Sequence, residues 1–186
     1  RDIWTTEVDV PVINLSDFPG GLRPVREGGG RQTTALKLRA ENGESFVFRS
    51  VDKDPSGAFS YELRNTILSD VTRDQTSTGH PYGGLIVAPL LAEIGILNAD
   101  QTMYYLAPGP GLGDFNPKFG NLLGTLEIKP QGNKPKKGEP GTFGADDVLK
   151  SFELFRTRYN DQEVHIDYNE FVKARMFDLL VGGWSK

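Results

Sequence analysis

Glu27-Gly28-Gly29-Gly30-Arg31-Gln32-Thr33 is the stretch on which the reading of this chain turns. Three consecutive glycines run into basic and hydroxyl side chains. The chain then reads as strand, turn, strand: residues 33–40, then Glu41-Asn42-Gly43-Glu44, then residues 45–53. Asn42-Gly43 between two alternating runs is a strong hairpin signal. Upstream, Leu22 to Glu27 reads as a short strand leading into the glycines. The glycines therefore sit at a tip between two antiparallel strands, not at the mouth of a helix.

That placement sorts the glycine-rich phosphate loops. A P-loop needs Gly-Lys-Ser/Thr opening a helix, and a dinucleotide-binding turn needs Gly-x-Gly-x-x-Gly opening a helix. Neither fits a segment that alternates with period two. A third form, the glycine flap of protein kinases, covers the nucleotide phosphates from a strand–turn–strand. In that reading the backbone of Gly28, Gly29 and Gly30 approaches the phosphates, and Arg31, Gln32 and Thr33 add donors. A tight glycine hairpin with no ligand stands beside it.

A flap of this kind works with a base on the third strand and an acid on the helix after it. Val47, Arg49, Val51 and Lys53 share one strand face, with Phe46 and Phe48 on the other. Lys53 and Arg49 are thus the candidate bases, and Glu62 is the candidate acid, ahead of Asp70 and Asp74. The plain alternative is surface ion pairing. Residues 20–53 hold seven Lys/Arg against four acids, so the tip lies in a locally basic sheet.

The bulk composition excludes several classes. With 186 residues the chain is one ordinary domain, or two small lobes sharing a core. A net charge of −4 supplies no whole-molecule field for nucleic acid or an anionic membrane. With no Cys and two His there is no disulfide, no thiolate centre and no zinc site. No run approaches the ~20 apolar residues of a membrane span. Placing Glu170 last in a calcium loop puts Val164 where glycine is required, so Asp167 is read instead as a helix cap. No nucleophile–His–acid set emerges, and His80-Pro81 reads as the start of a helix. The chain opens at Arg1 without Met, which reads as a fragment or a processed product.

In order, residues 3–15 form an edge strand or extended arm, demoted by Pro11. Phe59, Leu63, Ile67 and Val71 mark a helix over 58–73. An apolar helix over 81–95, kinked at Pro89, reads as central and buried. Strands follow over 102–107 and 122–128, and helices over 145–158 and 168–182. The organisation is a lobe over 1–129 (sheet plus two helices), a Gly/Lys/Pro-rich solvated loop or linker over 130–144, and a helical start of a second lobe over 145–186.

Gly20–Thr33, Phe46–Pro55, Gly79–Leu85 and Ala174–Trp184 together resemble a kinase-like region of large envelope proteins found mainly in Bacteroidota. In those proteins the region often accompanies a calcineurin-like phosphoesterase domain and a surface-antigen type outer-membrane barrel. The resemblance implies an α+β fold like a protein-kinase N-lobe with the start of a helical C-lobe. It implies ATP and Mg as ligands, the rest of a parent chain as partner, and a place in the bacterial envelope, periplasmic or outer-membrane associated. The carried-over residues are Gly28–Gly30, Arg49, Lys53 and Glu62. In that family a His- and acid-rich catalytic segment follows the last helix, beyond Lys186, so the resemblance implies a nucleotide-side piece that is inactive alone. A non-catalytic binding or scaffold module is the alternative.

Overall fold

A computed structural model describes residues 2–29, 33–53, 59–63, 66–76 and 80–182. Six strands form one sheet: β1 (Val12–Ile13), β2 (Leu22–Gly29), β3 (Thr33–Ala40), β4 (Ser45–Lys53), β5 (Gln101–Leu106) and β6 (Leu122–Ile128). Their spatial order is β1-β5-β6-β4-β3-β2. All pairs are antiparallel except β1 with β5. The fold is α+β, with α1 (Asp2–Thr5), α2 (Ile67–Thr76), α3 (Gly83–Glu93), α4 (Asn116–Phe119), α5 (Ser151–Asn160) and α6 (Tyr168–Val181) around that sheet.

Alternation within the strands gives the sheet two different faces. Leu36, Leu38, Phe46, Phe48 and Leu126 point to one side and are buried there. They are covered by Ile13, Leu15 and Phe18 from the first loop, and by Leu112, Phe115 and Phe119 from residues 110–119. Phe18 meets Phe46 edge to face at 5.6 Å. Each such side chain contributes about 1.5–3 kcal/mol through burial, so this face carries most of the cohesion. The second face bears Arg26, Lys37, Val47, Arg49, Lys53, Thr125 and Glu127.

The edges explain where pairing starts and stops. Pro11 has no N–H, but its carbonyl accepts from Tyr105 N at 3.0 Å, so β1 begins immediately after it. At the other end a bulge lies between Thr33 and Ala35. The Thr34 amide that the bulge frees donates to Ser50 Oγ at 3.2 Å, and that buried hydroxyl donates on to Asp52 O at 2.8 Å.

The helices depart most from expectation. The run expected over 58–73 divides into a 3₁₀ turn at Tyr61–Leu63 and α2, and Ala58 lies outside the described residues. Ile67 is 82 % exposed, so the i, i+4 apolar stripe there does not face a core. Helix α3 starts at Gly83, after Pro81, and none of its residues is buried. The expectation of a central buried helix is therefore corrected. Its residues are apolar all round, yet it lies against β5 on one side while Ile86 and Leu90 face outward. Residues 145–150 precede α5 rather than belonging to it. Asp167 caps α6 as expected, accepting from Asn169 N and Glu170 N at 3.1 Å each. No helix among the described residues is long and apolar enough to cross a membrane.

The stretch over 130–144 is a loop folded onto the sheet, not a solvated linker. Gln131 and Glu139 are both buried. Gln131 Nε2 donates to Gly43 O and Pro140 O, and its Oε1 accepts from Ser45 Oγ at 2.7 Å. Glu139 accepts from Arg39 and Lys134, which together hold its carboxyl below the ordinary range. Counting Lys, Gly and Pro misses these two anchors.

Candidate functional site

At the Lys53 end of the sheet, a polar cavity of about 470 Å³ opens between the second face and the start of α3. Arg49, Val51 and Lys53 line it from β4, Thr125 and Glu127 from β6, and Gln101 from β5. The far wall is His80-Pro81-Tyr82-Gly83-Gly84-Leu85. Backbone register brings the glycine tip to the same end, because Thr33 is the direct partner of Lys53.

Glu127 organises the floor. Its two oxygens accept from different neighbours, Oε1 from Arg49 Nε at 2.6 Å and Oε2 from Gln101 Nε2 at 2.8 Å. The terminal nitrogens of the Arg49 guanidinium have no partner among the described residues. Lys53 likewise has no carboxylate within 4.0 Å among those residues. The cavity is thus a place where two cations meet one neutralised carboxylate, which leaves it electropositive.

The opposite wall is backbone. His80 Nδ1 accepts from Tyr82 N at 3.1 Å, and Gly83 N donates to His80 O at 3.2 Å. With Nδ1 accepting from the Tyr82 amide, His80 serves to turn the chain into α3. The amides of Gly84 and Leu85 have no backbone acceptor among the described residues, as the first turn of a helix leaves them. Gly84 also packs tightly on the sheet: a Cβ there would collide with the Gln101 side-chain amide. That close approach fixes the width of the cavity.

The residues singled out from sequence fall into three groups. Arg49 and Lys53 line the cavity together. Gly28 and Gly29 close β2, and the Lys37 stem lies over Gly28, 3.1 Å from where a Cβ would stand. Thr33 opens β3, whereas Gly30, Arg31 and Gln32 lie outside the described residues. Glu62 is exposed on the Tyr61–Leu63 turn, does not line the cavity, and makes no ion pair with Lys53 among the described residues. The acid that meets a β4 base is Glu127. Its signal was present in the sequence, since alternation over 122–128 sets Glu127 opposite to Leu126 and Ile128 on the basic face.

Two cations and two free amides suit a phosphate-bearing ligand. The carboxylate in the cavity, Glu127, accepts from both Arg49 and Gln101. No group of three or more His, Cys, Asp or Glu able to hold a metal occurs among the described residues. Compared with models of known protein families, with curated proteins and with solved structures, the chain matches none.

Proposed function

We propose that this chain is the nucleotide-holding part of a kinase-like, phosphotransferase-type domain of a bacterial envelope protein, taking ATP with Mg. The observation that carries the reading is the convergence at one end of the sheet. Register puts Gly28 and Gly29, at the end of the first strand of a meander, at the same end of the sheet as two bases of its third strand, Arg49 and Lys53, which line a polar cavity. A glycine flap followed by a third-strand base is how a kinase lobe holds nucleotide phosphates. In this reading Lys53 and Arg49 contact the phosphates, and Glu127 positions Arg49 in the role expected of Glu62.

A second reading is favoured by a specific observation. Glu127 is already satisfied by Arg49 and Gln101, and Glu62 stays on the surface, as in a scaffold module that keeps the fold without a nucleotide. Thermal unfolding with ATP·Mg²⁺, ADP and AMP separates the two. Binding at saturating ligand raises Tm by about 2–4 °C per kcal/mol of linkage for a chain of this size. The nucleotide reading predicts a rise with ATP, none with AMP, and loss of the rise in Lys53→Ala. A flat response, or one that Lys53→Ala leaves intact, favours the scaffold.

A further inference from the structure

The second sheet face carries more positive charge than its own carboxylates neutralise, and the excess is concentrated. Its cations fall into two sets. Arg23 pairs with Glu41 at 3.5 Å, Arg39 with Glu139, and Arg49 with Glu127. Arg26, Lys37, Lys53 and Lys129 have no carboxylate within 4.0 Å among the described residues, and Lys53 belongs to the cavity described above. On a surface where the other arginines have taken acids, the three such cations outside the cavity, Arg26, Lys37 and Lys129, are a specific arrangement.

Register places those three together. Arg26 and Lys37 are direct cross-strand partners on β2 and β3, and Val47 of β4 is the next position in the same row. Glu127 follows in that row, with both oxygens committed, to Arg49 and to Gln101, the next position on β5. Lys129 extends the β6 ladder by donating its amide to Ser45 O at 2.8 Å, in the adjacent row of the same face. Strands about 4.8 Å apart put Lys129 about 10 Å across the sheet from Lys37. Val47, between them, is only 3 % exposed. Arg26 and Lys37 on one side and Lys129 on the other thus flank the apolar Val47, with Ala35 in the row beyond it.

We infer that this patch is an anion site for a compact ligand bearing two or more phosphates, with Arg26, Lys37 and Lys129 as its donors. Like charges at adjacent cross-strand positions are destabilising when nothing lies between them. The Lys37 ammonium is correspondingly pushed below its ordinary range, first by burial and then by Arg26, Lys129 and Arg49. A bound polyphosphate relieves that repulsion and gives the Arg26 fork a partner it fits. A single-stranded nucleic acid is the poorer match. Ala35, Ser45 and Val47 beside the cations provide no ring on which a base can stack.

The patch is independent of the nucleotide reading, because Lys53 and the α3 wall take no part in it. Amide NMR of the 186-residue chain, titrated with inorganic triphosphate, tests it. The expected result is shifts at Arg26, Lys37, Val47 and Lys129, weakened at least tenfold in Lys37→Gln/Lys129→Gln and unchanged in Lys53→Ala. Arg26→Gln, at an exposed position, supplies a second variant with the same expected loss. Without ligand, Lys37→Gln keeps or raises Tm, since it removes repulsion. Shifts confined to Lys53, Gly83 and Gly84, no shifts at all, or binding indifferent to all of these Gln variants overturns the site. Tighter binding of a single-stranded oligonucleotide than of triphosphate overturns the choice of ligand.

Discussion

Glu127 illustrates how one side chain can decide what a site is for. It holds Arg49 and Gln101 at once, so it fixes two strands' contributions to the cavity floor. Glu127→Gln keeps the shape and removes the charge. Because Arg49 is half exposed, the expected stability loss is small, within about 1 kcal/mol by urea unfolding. Glu139 behaves differently. Arg39 and Lys134 hold its carboxyl below the ordinary value of 4.5, so its stabilising contribution is present above that value and fades as pH falls through the lower folded one. The Tm gap between the native chain and Glu139→Gln is therefore expected to be widest at neutral pH and to narrow as the solution is acidified below 4.5. A gap that widens on acidification contradicts this. Among single residues the sequence is half legible. Arg49 and Lys53 can be named because period-two alternation puts them on one face. Glu127 escapes such a reading because the kinase pattern puts the acid on a helix, and not on the neighbouring strand.

Elements are legible where the pattern is local. Strands over 33–40, 45–53 and 122–128 follow from alternation and from the Asn42-Gly43 turn, and the structure has them at those positions. The α6 cap follows from Asp167 alone. The loop over 130–144 is not legible, because its order comes from long-range bonds to Gly43, Ser45 and Arg39 that no local window contains. Gln131→Ala removes two such bonds, and a third to Pro140 O within the loop, and strands buried partners, so a loss of about 2–3 kcal/mol in unfolding free energy is expected. Gly43→Ala is expected to cost at least as much. Gly43 sits at φ +85°, and an added Cβ would strike the backbone carbonyl of Gly138. Hydrogen exchange gives the same test at the element level: if the loop is anchored, the amides of Lys134 and Thr142, which bond to Glu139 O and Gln131 O, exchange slowly. Rapid exchange at both rejects the anchoring.

For the whole molecule, the sheet has one sealed face and one chemically open one, and the helices add little burial. A groove of about 740 Å³ between α3 and α6 is lined by Leu90, Ile94, Val172, Met176 and Leu180. Apolar surface on that scale attracts itself and hydrophobic dyes. The isolated chain is expected to bind such a dye in its native state and to self-associate with rising concentration. Met176→Glu/Leu180→Glu is expected to suppress both without lowering Tm, as scattering and calorimetry would show. Apolar helices read as buried from sequence because hydrophobicity alone does not say whether a neighbour is present to cover them. The proposed nucleotide site lies at the other, polar end of the molecule, and isothermal calorimetry with ATP·Mg²⁺ is the decisive measurement there. One nucleotide per chain is expected at the cavity, apart from any polyphosphate held at Arg26, Lys37 and Lys129, with affinity at the cavity reduced at least tenfold in Lys53→Ala/Arg49→Ala and little changed in Glu62→Ala. No heat of binding, or equal affinity in the native chain and the Lys53→Ala/Arg49→Ala variant, would contradict it.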